Sequence, residues 1–409
     1  MDSDLQRAFS PLRLGPLELA NRFIKSSTFE GMMPGNRPSA ALARLHAGIA
    51  AGGVAMTTLG FTAIEPDGRT FAEEAWICHD KLPAWRALTA AVHAAGARAS
   101  LQLGHCGTLT RTPDRRQRRP GGPSATLNLY GAMVGALRTR ALTEADMEEI
   151  AGSFVTACRL AAEAGFDAVE IHMGHGYLLS QFLSPLGNRR SDRHGGPIEN
   201  RMRFPVEVLR RVVAAVGDRL AVLVKLNLED GARGGLVVEE AATVAAALQA
   251  AGAHGLVLTG GFTPHSPMYL FRGESPAPAM RRTEKSAWNR FLLRLGERTA
   301  FRSLPFAELY FLEQARRIRA AVSLPLGLLG GIRSAGNVAQ AMREGFDFVV
   351  LGRPLLAEPD FVRRIAADPA ARSKCTNCNQ CVAEFARPGG VRCVLNPEND
   401  PALNLRAAG

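Results

Sequence analysis

Near the middle of the chain, His172-Met173-Gly174-His175-Gly176-Tyr177 places two imidazoles and a phenol in one short stretch. Such groups can bind an anion or a carbonyl oxygen and deliver a proton. A His-x-x-His pair can also hold a metal, although no carboxylate stands in a suitable frame beside this one. Plain structural histidines are the third reading. Further along, Gly330-Gly331-Ile332-Arg333-Ser334 and Gly352-Arg353-Pro354 each follow a short aliphatic run and lead into a helical pattern. Glycine-rich turns at helix N-termini offer bare amides and a positive dipole end to a phosphate. Ordinary tight turns would read the same way.

Four of the seven cysteines crowd into one C-terminal stretch, as Cys375, Cys378, Cys381 and Cys393, while Cys78, Cys106 and Cys158 are isolated. An odd, uneven set does not suit a disulfide framework in a large chain; it suits a metal site. The spacing C-x2-C-x2-C-x11-C can ligate a [4Fe–4S] cluster or tetrahedral zinc, although zinc sites more often pair their cysteines two and two; unligated cysteines are the third reading.

These residues need a scaffold, and the chain repeats one. A short aliphatic run, a loop and an amphipathic helix recur along it. Strands are expected at Phe23–Ser27, Val54–Thr58, Ala97–Leu103, Ala168–His172, Leu220–Asn227, Gly255–Thr259, Leu324–Leu328 and Phe348–Leu351. Helices are expected near Ser39–Ala51, Leu82–Ala95, Thr143–Ala164, Asn200–Val216, Val238–Ala251, Ala307–Ala321, Ser334–Glu344 and Asp360–Ala366. Several end in the same signal, with Gly96, Gly165, Gly252 and Gly345 placed to turn the chain back. Strict alternation means parallel strands with right-handed crossovers. Eight units favour an α/β fold closed as a (β/α)8 TIM barrel over an open doubly wound sheet, which would want Gly-x-Gly-x-x-Gly after its first strand.

The division expected is a barrel over residues 1–367 and a cysteine-rich segment over 368–409. Before the first strand, residues 11–19 read as a small β-hairpin able to plug the barrel floor. Between Gly261 and about Pro305 lies an excursion too long for a plain connection, expected over the catalytic face.

The bulk composition narrows the function classes. A hydrophobic fraction of 46% with 6% aromatics is ordinary for a globular chain. Apolar runs such as Leu220–Leu226 fall far short of the about 20 residues a membrane span needs, so no membrane partner is expected. The first residues, Met1-Asp2-Ser3-Asp4, do not resemble a secretory signal, which points to the cytoplasm. The net charge of +11 does not signal nucleic-acid binding. Arginines are scattered, and the densest run (Arg111 to Arg119, with Arg115, Arg116 and Arg118) lies in a Pro/Gly-bounded loop without aromatic interleaving. A solvated basic surface, or attraction of phosphorylated cofactors or acidic partners, accounts for it.

Taken together, the motifs resemble the Old Yellow Enzyme family, in the branch containing 2,4-dienoyl-CoA reductase and trimethylamine dehydrogenase. The resemblance runs from Phe9-Ser10-Pro11-Leu12 to about Pro397. It rests on Asn21-Arg22, Gln102, the His172–Tyr177 segment, Gly330-Gly331 and Gly352-Arg353. Most specific are Asn188-Arg189-Arg190-Ser191-Asp192, Gly195-Gly196 and the run from Glu199 to Phe204.

The resemblance implies non-covalent FMN at the top of the barrel and a ping-pong cycle fed by NAD(P)H. Ser26, Ser27 and Thr28 would line the flavin, with Gly60 nearby and Gln102 on its pyrimidine edge. Lys225, where relatives usually carry arginine, would stabilise charge on the reduced flavin. Gly330, Gly331, Gly352 and Arg353 would take the phosphate. His172 and His175 would grip a substrate oxygen, and Tyr177 would donate the proton as an activated alkene is reduced. The rival is an amine or C–H dehydrogenase passing electrons through the cluster. A homo-oligomer follows from family habit alone.

This sequence also departs from the family. His105-Cys106-Gly107-Thr108 lacks the arginine many relatives carry after the glycine, and Phe29 stands where some bacterial members place a redox-tuning cysteine. The excursion with His265, Tyr269, Trp288 and Phe291 has no counterpart we can map and is expected to shape substrate choice. Cluster-bearing relatives continue into nucleotide-binding domains that do not follow here, so a cluster would be expected to have an electron-transfer partner that is either external or absent.

Overall fold

A computed structural model describes residues 3–113, 115–116, 119–387 and 389–400. Arg118 of the arginine run, Met1 and Asp2 of the N-terminus, and the end of the cysteine-rich segment lie outside the described residues.

Eight strands close into one parallel barrel. They are β1 (Phe23–Lys25), β2 (Met56–Ala63), β3 (Arg98–Gly104), β4 (Ala168–Met173), β5 (Ala221–Asn227), β6 (Gly255–Thr259), β7 (Leu326–Leu329) and β8 (Phe348–Leu351). Every strand pairs with its sequence neighbour, and β8 pairs with β1 to seal the ring. This is the expected (β/α)8 barrel.

The outer layer comprises α1 (Ala40–Ala51), α2 (Leu82–Ala94), α3 (Glu144–Glu163), α4 (Arg203–Val216), α5 (Val238–Ala250), α6 (Leu312–Ala321), α7 (Ala335–Arg343) and α8 (Phe361–Ala367). Local chemistry sets their ends. Ser39 and Ser334 cap α1 and α7, and Thr143 with Asp146 forms a capping box on α3. Gly96, Gly165, Gly252 and Gly345 all take the left-handed conformation after their helices, as their position predicts.

Strand alternation sorts the side chains. Phe23, Leu101, Val169, Val222 and Leu256 face the helices in the main core. Ile24, Ala168, Leu223, Val257 and Phe348 face inward and form a second cluster at the barrel floor. The hairpin strands Leu12–Leu14 and Leu17–Leu19 turn their four leucines into that cluster and close the floor.

Several boundaries moved, the second strand running Met56–Ala63 where Val54–Thr58 was expected. The helix expected from Ala307 begins at Leu312, because Leu309 sits at φ 54° and breaks the turn. The single helix expected from Asn200 divides into Ile198–Arg201 and α4. The excursion after β6 holds three short helices, Pro267–Phe271, Ala277–Thr283 and Ala287–Gly296.

Candidate functional site

Register brings the polar residues of four strands to one depth inside the barrel. Gln102 of β3 lies opposite Glu170 of β4, and His172 of β4 opposite Lys225 of β5. All four point inward and are buried. Glu170 is their hub. Its Oε1 accepts from Gln102 Nε2 at 2.7 Å and from Ser27 Oγ at 3.2 Å, and it pairs with Lys225 Nζ at 3.0 Å. Lys225 Nζ also donates to Ser27 Oγ at 2.9 Å and to Ser26 Oγ at 3.3 Å. Burial pulls the Lys225 ammonium down, opposed by the Glu170 charge. A buried cation retained in this way is held by its partner carboxylate.

Above this network, His172 lies edge-on to His175 with centroids 5.0 Å apart, and 4.8 Å from the Tyr177 ring. Gln102 Nε2 lies 3.4 Å from His172 Nδ1, linking the two groups. His175 is turned by an uncommon backbone at φ 60°. Its amide donates to Asn227 Oδ1, and its Nε2 meets Thr259 Oγ1 at 2.8 Å, at the tips of β5 and β6. Phe61 packs on Tyr177 at 4.6 Å.

Burial and the nearby Lys225 charge hold both imidazoles neutral, with His175 pushed down to about 3. Burial first, then the Glu74 charge, pushes the Tyr177 hydroxyl above its ordinary range. At neutral pH the trio is therefore two uncharged imidazoles and a protonated phenol. That combination can hydrogen-bond an oxygen and offer a proton without carrying charge into the site.

Glu74, from the loop after β2, abuts Thr70 and Tyr177. It is fully buried, and burial raises its carboxyl to about 8 even though the Thr70 amide donates to it at 2.5 Å. Thr70 Oγ1 and Glu74 Oε1 are both buried without a formed hydrogen bond.

The glycine turns lie after β7 and β8. Gly330 and Gly331 have φ of 107° and 72°. A Cβ at Gly331 would come within 2.7 Å of Ala307 O, and one at Gly330 within 2.7 Å of the Phe311 ring. Both the backbone and the space demand glycine there. Around this turn gather Tyr310, Arg353, and Arg272 from the excursion, whose guanidinium lies over the Tyr269 and Tyr310 rings. Arg333 Nε is buried without a hydrogen-bond partner. A Cβ on Gly352 would lie 4.0 Å from Ser26 Cβ, which connects this turn to the network inside the barrel. The chemistry fits a bound FMN: an Arg333 Nε–H left without a partner and bare amides for a phosphate, and a polar floor of Gln102, Lys225 and serine hydroxyls for a heteroaromatic edge.

The cysteine segment folds onto the barrel top. Asn379 Nδ2 donates to Arg272 O and Glu274 O, and Arg353 reaches Asn379 Oδ1. Burial pushes the Cys381 thiol up to about 12; Arg353 lowers it, and Cys375, Cys378 and Cys393 each raise it. Among the described residues, however, no group of three or more His, Cys, Asp or Glu is arranged to hold a metal ion, and the cluster expected from the spacing is not shown.

The expected residues form one connected inner group (Ser26, Ser27, Gln102, Lys225, His172, His175, Tyr177) and one rim group (Gly330, Gly331, Gly352, Arg353). Thr28 stands apart, exposed, its Oγ1 2.6 Å from Glu30 Oε1, and it bridges to Gly60. Sequence reasoning missed Glu170, although an acid at the inward parity of an otherwise apolar strand was the available signal. It also missed Thr259, Glu74 and Arg272. Arg272 gave none, because its place depends on how the excursion folds back.

Comparison with known proteins adds a separate line of support. A family model described as the NADH:flavin oxidoreductase / NADH oxidase family matches residues 7–259. Over 390 residues the chain is 38% identical to the 4,4'-dithiodibutanoate disulfide reductase of Rhodococcus erythropolis, covering 95% of this chain and 94% of that enzyme. It is 30% identical to the NADH oxidase of Thermoanaerobacter brockii, of which it spans 56%, about half the length. Among solved structures, morphinone reductase in complex with tetrahydroNAD is 26% identical with a TM-score of 0.68, covering 93% of this chain and 97% of that one.

Proposed function

Because this chain belongs to the NADH:flavin oxidoreductase / NADH oxidase family, we propose that it reduces an activated C=C bond of the enone or enoate type at the expense of NADH or NADPH. That it is a flavin oxidoreductase follows from the family. The finer reading is supported chiefly by one observation, the pair of neutral imidazoles beside a protonated phenol at the barrel mouth.

Ser26, Ser27, Gln102 and Lys225 would hold the ring system of FMN; Gly330, Gly331, Gly352 and Arg353 would hold its phosphate. When bound, FMN supplies the hydride relay between nicotinamide and substrate. The protein's own residues do the rest. His172 and His175 hold the substrate carbonyl oxygen and draw electron density from the conjugated double bond. The Tyr177 hydroxyl gives its proton to the α-carbon as hydride reaches the β-carbon, and solvent restores that proton.

Stopped-flow measurement of the two half-reactions tests this directly. Tyr177→Phe should slow reoxidation by cyclohexenone by roughly 10²-fold or more while leaving reduction by the nicotinamide intact. Unchanged enone turnover removes Tyr177 from the role.

The extent of similarity to the Rhodococcus enzyme favours one second reading, reduction of a disulfide. Reduced protein that 4,4'-dithiodibutanoate reoxidises and cyclohexenone does not would favour it. Reduction by an amine, with indifference to both nicotinamides, would instead favour the dehydrogenase reading. We also propose a [4Fe–4S] cluster at Cys375, Cys378, Cys381 and Cys393, supported by their spacing alone. No step is routed through it. Iron and acid-labile sulfide near four each per chain would be the expected result.

A further inference from the structure

Two segments on the catalytic face carry large apolar side chains into solvent. The first is the helix Ala287–Gly296 of the excursion after β6. Trp288, Phe291, Leu292 and Leu295 are 59%, 52%, 46% and 51% exposed. Their i, i+3, i+4, i+7 spacing sets them on one face, with the Trp288 and Phe291 rings stacked 5.7 Å apart. Asn289 and Leu293 are half-buried on the other side, and no residue of this helix is fully buried, so it stands proud of the molecule. Between Arg282 and Arg302 the exposed charged residues are Arg282, Lys285, Arg290, Arg294, Arg298 and Arg302, all cations. Glu284 and Glu297 are half-buried, and Glu297 is paired with Arg281.

The second segment is the loop after β3. Leu127, Leu129 and Leu137 are exposed there, and between Arg111 and Arg140 the sequence carries seven arginines against one acid, Asp114. Loops that follow barrel strands lie on the face that carries the site. Both lips therefore rise around the same mouth.

We propose that this rim seats on an anionic lipid surface, with the Trp288–Leu295 face entering the interface and the flanking arginines meeting the headgroups. A convex helix with Trp, Phe and Leu on one side and cations beside them has the character of an interfacial helix. Cations near an anionic leaflet each add to the attraction. A second copy of this chain is disfavoured as the occupant, since it would bring one basic rim against another. No described helix is long and apolar enough to cross a membrane; a helix lying in the interface needs only one apolar face.

Flavin-loaded full-length protein is sedimented with phosphatidylcholine vesicles, with and without phosphatidylglycerol, at low and high salt. At least about tenfold more protein should bind the anionic vesicles, and salt should weaken the binding. Trp288 emission should shift to the blue, a shift absent from Trp288→Phe. The exposed-face variants Phe291→Ser/Leu295→Ser and Arg290→Gln/Arg294→Gln/Arg298→Gln should each lose most of the binding. Flavin content and nicotinamide oxidation without vesicles should stay unchanged, which confirms folding. No preference for anionic vesicles overturns the proposal. So does binding that the arginine variant abolishes and the apolar variant leaves intact, which would reduce the rim to a polyanion patch. An oligomer that Phe291→Ser/Leu295→Ser converts to monomer, without vesicle binding, would assign the face to a second copy instead.

Discussion

At the residue scale, Lys225 and Glu170 are the pair on which the inner network depends. Their charges sit 3.0 Å apart inside a barrel that excludes water. Removing one partner strands the other, at a cost of about 3–5 kcal/mol. Lys225→Met should therefore lower the thermal midpoint and release flavin. Lys225→Met/Glu170→Gln should recover much of the stability but not the flavin, as read by calorimetry and absorbance of the purified proteins. Stability that does not recover would mean that the network matters for packing more than for charge. Lys225 was named in the sequence through the family resemblance; its partner was not, because pairing depends on the register of β4 against β5.

At the element scale, two glycine turns make contrasting predictions. Gly15, in the floor hairpin, has φ 56°, and a Cβ there would meet the His254 ring at 2.3 Å. Gly331, at the opposite end of the barrel, would meet backbone at 2.7 Å. Gly15→Ala should cost about 1–3 kcal/mol of stability with flavin affinity unchanged. Gly331→Ala should weaken FMN binding well beyond its effect on stability, as fluorescence titration of the apoprotein would show. Equal flavin affinities in the two variants would place the phosphate elsewhere. The element with the most family-specific sequence behaves differently again. Asn188 Nδ2 donates to Phe182 O and His194 O, and Arg190 Nη1 to Pro123 O and Leu142 O. These bonds fold a loop against its neighbours; none of them reaches the site.

At the scale of the whole molecule, buried titratable groups set a pH window. His46, His172 and His175 are held neutral by burial, so the unfolded chain takes up more protons below about 6.5. Stability from these groups falls as pH drops from about 6.5 toward the folded value of about 3 for His175. Glu74 acts in the opposite direction. With its carboxyl raised to about 8 in the fold, its contribution is full below the ordinary 4.5 and is lost as pH rises through 8. Between pH 6.5 and 8 the histidine contribution is nearly flat and the Glu74 slope remains, so stability should decline by up to about 2 kcal/mol. Glu74→Gln should remove that decline in denaturant titrations. A decline that persists in the variant would mean that Glu74 is ionised in the fold at neutral pH.

The sequence by itself determined the repeat and the barrel, because strand alternation and glycine-terminated helices are local properties of the chain, while Ser26, Ser27, Gln102 and Lys225 were named through the family resemblance. It also marked His172, His175 and Tyr177, whose spacing at a strand end limits where they can point. Only the tertiary structure decided which side chains meet. Glu170 joins Gln102, Ser27 and Lys225 through three strands, Glu74 approaches Tyr177 from another loop, and Arg272 folds back over Tyr310. The lasting difference is physical: propensity and period act over neighbouring residues, whereas desolvation and charge pairing depend on groups that the closed barrel brings together from distant parts of the chain.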